Sequence, residues 1–206
     1  LDFPHYCTSA TVACGGKDGW CYTFGGHQAK TGHSKKVAFI DVCSKRIPSA
    51  LADKIYSEIQ DLVLKGEISY PNLRFSGSGE VAKHHLEFLG MLATKNVVLW
   101  GFSKNIDIAI KLKEIGCSVL LSIDQTTAPE ILVRATELGL AYAYTSSSIN
   151  DIPPVNTVVT FPLHRGGKVK EVVDVTTLCP KVVDEFFEGK RKAGFCQNFC
   201  RRCHSV

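Results

Sequence analysis

Hydrophobic and polar positions repeat along the chain with two periods. In "SALADKIYSEIQDLVLKG", Leu51, Ile55, Ile59, Leu62 and Val63 recur every three or four residues, the spacing of one helix face. Ser49, after Pro48, is the expected N-cap, and Gly66 is the expected stop. Just upstream, "KVAFIDV" is a short apolar run containing β-branched residues and reads as a strand. Downstream the two patterns alternate. "NLRFSGSGE" reads as strand then glycine-rich turn, "VAKHHLEFLGMLATK" as helix, "NVVLWGFS" as strand and "NIDIAIKLKEIG" as helix. "SVLLSID" is a strand, "PEILVRATELG" a helix stopped by Gly139, and "AYAYTSS" and "TVVTFPL" two more strands; "PKVVDEFFEGKRK" is a last short helix.

About six strands result, mostly separated by helices. They are nearly continuous apolar runs, as expected of strands covered on both faces. Short links between strand and helix imply right-handed parallel crossovers. Either a doubly wound open sheet or a barrel of β/α units satisfies the pattern. The expectation adopted is an α/β fold: a parallel (β/α)6 partial barrel, TIM-like and open. Residues 1–206 form a single domain: a cysteine- and glycine-rich loop over 1–36, β/α repeats over 37–178 and a cysteine-rich cap over 179–206.

Polar residues gather where the strands end. Asp41 follows the first, Ser76 to Glu80 the second, Ser103 and Lys104 the third, and Ser122 and Asp124 close the fourth. Thr145 and Ser146 follow the fifth and His164 the sixth. In parallel α/β folds that edge is where ligands bind. Helix caps and turns account for many such residues, but Glu80, Lys104 and Asp124 are poorly explained as caps. "GSGE" lacks the third glycine of a dinucleotide fingerprint, which disfavours a nicotinamide site.

Composition changes this picture in one respect. The 206 residues are 45% hydrophobic and 21% charged, an ordinary globular balance for a chain long enough to need no metal or disulfide merely to have a core. No apolar run is long enough to suggest a membrane span, and "LDFPHYC" shows no basic-then-apolar leader. Nine cysteines remain to be explained. Cys7, Cys14 and Cys21 stand at C-x6-C-x6-C, and Cys196, Cys200 and Cys203 at C-x3-C-x2-C, with Cys179-Pro180 upstream. An odd count and long regular segments argue against a secreted disulfide framework. Metal ligation in a reducing cytoplasm is the better reading. Cys179, Cys196, Cys200 and Cys203 offer the four thiolates of a [4Fe-4S] cluster or a tetrahedral zinc. The glycines between Cys14 and Cys21 suit a loop that wraps a cluster, and three thiolates leave one iron open. His5, His27 or His33 would instead complete a zinc site, and the two sets could also pool their ligands. Cys43 and Cys117 read as core thiols. Net charge is +4, and Lys190, Arg191, Lys192, Arg201 and Arg202 crowd the last cysteines. These form a solvated tail, contact nucleic acid, or offset a cluster's negative charge.

C-x3-C-x2-C is the spacing of the radical S-adenosylmethionine (SAM) family, whose three cysteines hold a [4Fe-4S] cluster on an open (β/α)6 barrel. In that family the motif follows the first strand, whereas here it stands at residues 196–203. "FSGSGE" resembles the family's glycine-glycine-glutamate stretch, which implies contact of Gly77, Gly79 and Glu80 with the SAM amino group. The order Cys21-Tyr22, "SGSGE", Ser103-Lys104, "SID", Cys-Pro and terminal cysteines is similar to the phage-type gene product 88 domain family. That resemblance implies metal–sulfur chemistry on a radical-SAM-like barrel. The expected function is therefore a cytoplasmic, oxygen-sensitive iron–sulfur protein with one or two [4Fe-4S] clusters. Glu80, Lys104, Ser122 and Asp124 would bind a small cofactor or substrate, SAM foremost. The alternative is a zinc-stabilised nucleic-acid-binding protein without redox activity; simple electron transfer is a third reading.

Overall fold

A computed structural model describes residues 31–75, 80–146, 151–162 and Cys203. Its elements are α1 (Thr31–Arg46), α2 (Pro48–Leu64), β1 (Asn72–Phe75), α3 (His85–Thr94), β2 (Val98–Ser103), α4 (Ile106–Glu114), β3 (Ser118–Asp124), α5 (Pro129–Glu137), β4 (Tyr142–Ser146) and β5 (Thr157–Pro162). The five strands form one parallel sheet whose spatial order equals the chain order. The order never reverses, and a reversal is what defines a doubly wound sheet.

One expectation fails at the start. "KVAFIDV" is not a strand but part of helix α1. A short apolar run cannot by itself distinguish a strand from a helix segment. The helical spacing decides it: Ile40, Cys43 and Ser44 turn inward, while Phe39 and Val42 remain exposed. Five strands, rather than six, are therefore present among the described residues. Ser49 is not the cap of α2 either. Pro48 occupies the first helical turn after Ile47, where its missing N–H costs nothing, and no side chain caps the helix. Gly66 and Gly139 do end their helices, at φ of +70° and +62°, a conformation glycine adopts without strain.

The sheet's two faces differ. Phe75, Leu99, Val119, Leu121, Ile123 and Tyr142 pack with the buried faces of the helices, including Leu51 and Ile59 of α2, Phe88, Leu89 and Leu92 of α3, and Leu112 of α4. Each large side chain so buried contributes about 2 kcal/mol. Cys43 and Cys117 belong to this core, as expected, and burial pushes the Cys117 thiol up to about 12. The opposite face carries a second cluster, Leu120, Ala143 and Val159, flanked by Phe102, Ala141, Val158 and Phe161. Among the described residues, no helix contributes to it; Cys203 does. No helix among the described residues is long and apolar enough to cross a membrane.

Candidate functional site

The carboxyl ends of β1, β2 and β3 bring three of the sequence-selected residues together. Glu80 follows β1 and is buried. Its Oε2 accepts the amide of Lys104 at 2.7 Å, and its Oε1 accepts the amide of Val81 at 3.3 Å. Lys104 Nζ then donates to Asp124 Oδ2 at 3.2 Å. The pair is secluded: the side chains of Lys104 and Asp124 are 16% and 1% exposed. Asp124 also fastens the turn beyond β3, where Oδ1 accepts the Thr126 amide at 2.9 Å and the Thr126 hydroxyl at 2.6 Å. Glu80 thus positions the loop after β2, and Asp124 receives the lysine that loop presents. Burial pushes the Glu80 carboxyl above 4.5, opposed by the Lys104 amide, the Ser103 hydroxyl and the Val81 amide.

β4 extends this line. Ser146 Oγ donates to Asp151 Oδ2 at 3.3 Å. Burial, then the charges of Asp151 and Asp124, raises the Tyr144 hydroxyl above its ordinary value of 10. Ser122 lies on β3, partly exposed, paired in register with Ala143. Cys203 packs against the cluster of Leu120, Ala143 and Val159, on the face to which no described helix contributes. Gly77, Gly79 and His164, with Cys7, Cys14, Cys21, Cys179, Cys196 and Cys200, lie outside the described residues.

A second polar cluster forms where α3 begins. Asp41, expected at a strand end, projects from α1 instead and still reaches this edge. His84 Nε2–H donates to Asp41 Oδ1 at 2.6 Å, and Lys45 Nζ donates to Oδ2 at 2.8 Å. His85 is fully buried, with Nε2 3.4 Å from the same Oδ1. Its Nδ1 accepts the Ala82 amide at 3.0 Å, and its own amide donates to the Ala82 carbonyl at 2.9 Å. His85 thus closes on Ala82 through both its ring and its backbone amide, in the turn that leads into α3. Burial, reinforced by neighbouring His84, holds His85 down to about 4. Sequence reasoning passed over His84, His85, Tyr144 and Asp151. The adjacent histidines in "AKHHLE", at a helix start beside a ligand-bearing edge, were the available signal.

The fold and edge chemistry define the class: an α/β protein with a five-stranded parallel sheet and polar groups along its carboxyl edge. No family model, curated protein or solved structure matches the chain.

Proposed function

We propose that the chain binds iron–sulfur clusters through its terminal cysteines, on the concave face of a partial (β/α) barrel, and acts as a radical-SAM-like enzyme. The observation that carries this reading is the seat of Cys203 against the cluster of Leu120, Ala143 and Val159, on the face to which no described helix contributes. Cys203 ends the C-x3-C-x2-C run, so one member of the proposed ligand set stands on the side of the sheet that the described helices leave open. The surroundings fit such a group. An apolar and aromatic wall lowers the dielectric around soft thiolate ligands, which favours cluster binding over solvent attack.

An aromatic contact across the sheet favours the barrel. The rings of Phe102 on β2 and Phe161 on β5 lie 5.7 Å apart, edge to face. In a flat sheet strands three places apart stand about 14 Å from one another. Leu120 and Ala143 lie on the strands between, and a sheet curled toward this face would bring the two rings together.

Cys196, Cys200 and Cys203, with Cys179 or the Cys7–Cys14–Cys21 set, would hold the clusters. A cluster with one open iron supplies single electrons to a bound substrate. Lys104 would offer positive charge to a substrate or SAM carboxylate at the carboxyl edge, with Asp124 keeping the ammonium oriented. Glu80 fixes the loop that carries Lys104, while Ser122 provides a hydroxyl on β3.

Anaerobic purification with iron, sulfide and zinc analysis tests this. A brown protein with about four or eight irons per chain, losing iron in Cys200→Ser and Cys203→Ser, is the expected result. A SAM-dependent change in the reduced cluster's paramagnetic signal is expected too. A colourless chain carrying only zinc overturns the reading and redirects attention to salt-dependent nucleic-acid binding.

A further inference from the structure

We infer that Asp41, His84 and His85 form a site for a divalent first-row transition metal of the zinc type, separate from the cysteine sets. Neighbouring residues on a helix project about 100° apart. Here both histidine rings turn toward one carboxylate brought by another helix, with ring centroids 4.1 Å apart. One donor atom from each of the three side chains lies within 4.8 Å of the others. Two imidazole nitrogens and a carboxylate oxygen suit zinc, iron, cobalt or nickel; magnesium and calcium prefer oxygen donors throughout. Three protein ligands also leave a coordination position for water or substrate, the pattern of reactive rather than purely structural sites.

The metal-free arrangement shows what binding must displace. The Ala82 amide occupies His85 Nδ1, which leaves the His85 proton on Nε2. Ligation through Nε2 shifts that proton to Nδ1 and gives up the amide bond, and His84, ligating through its own Nε2, likewise carries its proton on Nδ1 and gives up its hydrogen bond to Asp41. These two hydrogen bonds together contribute far less than ligation of a transition metal, so the exchange favours the metal. Lys45 engages Oδ2, which leaves Oδ1 as the ligating oxygen. The Lys45 side chain is half exposed, so water and salt screen its charge. The cluster stands at the start of the helix that follows β1, on the carboxyl edge where open α/β sheets bind ligands.

The test titrates the full metal-stripped chain with Co2+ under reducing conditions, beside Asp41→Asn and His84→Ala. The unaltered chain should take up one more cobalt than either variant, with visible d–d bands. The sulfur-to-cobalt charge-transfer band, which reports the cysteines, should be equal in all three. Equal cobalt uptake overturns the inference. Should a variant lose its native circular dichroism, the unaltered chain decides. Saturating Zn2+ should move the ring nitrogen-15 resonances of both His84 and His85, and unmoved resonances overturn the site.

Discussion

His85 is fully enclosed yet carries a group that ordinarily titrates near 6.5, and its folded value is about 4. The unfolded chain therefore binds the extra proton between those values. The metal-free protein should be most stable above pH 6.5 and weaken as pH falls toward 4. At about 1.4 kcal/mol per pH unit, this group accounts for a loss of roughly 3 kcal/mol. Glutamine at this position can still accept the Ala82 amide but does not titrate. His85→Gln should fold, and its urea midpoint should change less between pH 7 and pH 4.5 than that of the unaltered chain. The Lys104–Asp124 pair makes a second prediction. Asp124→Ala strands a largely secluded ammonium and releases both Thr126 contacts, costing about 3 kcal/mol. Lys104→Met leaves Asp124 with its Thr126 partners and should cost less. Chemical denaturation of the two variants compares them directly. Glu80, Lys104 and Asp124 were legible because none fits an ordinary cap. Even so, two of them have fastening duties in loops, a role that residue type alone could not separate from ligand contact.

At the level of elements, periodicity was informative where tertiary structure agreed with it. The helix after Pro48, the alternation of three further helices with strands downstream of it, and the five parallel strands all follow the apolar pattern. The first element was misread because six residues of mixed apolar character satisfy both templates, and exposed Phe39 and Val42 made the run look two-faced. Only packing against α2 and α3 resolved it. Between strands, Gly101 is closely packed and is paired in register with Phe75. A β-carbon there would lie 2.5 Å from the Phe75 carbonyl oxygen and 2.6 Å from its ring. Backbone on one side and a fully buried ring on the other leave nothing to yield. Gly101→Ala should cost about 2 kcal/mol, read as a lowered thermal midpoint with the helical signal retained. The sequence shows a glycine in a strand but not which neighbour presses on it, because that depends on register.

Among the described residues, an unbroken strand order, helices packed on one face and an aromatic contact spanning β2 to β5 make the carboxyl edge a place where several loops meet. Residues scattered between positions 41 and 151 reach it from separate elements. That convergence was foreseen in outline, since parallel units share a common edge. The His84–His85 approach to Asp41 was not, because the carboxylate arrives from a helix that precedes the sheet. The same strand order also bears on how the protein assembles. Each strand hydrogen-bonds to the one made just before it, so no later strand must be threaded between two already joined. The sheet can grow vectorially as the chain emerges during synthesis. In pulsed hydrogen exchange on stalled nascent chains, β1 and β2 should gain protection before β5 has been translated.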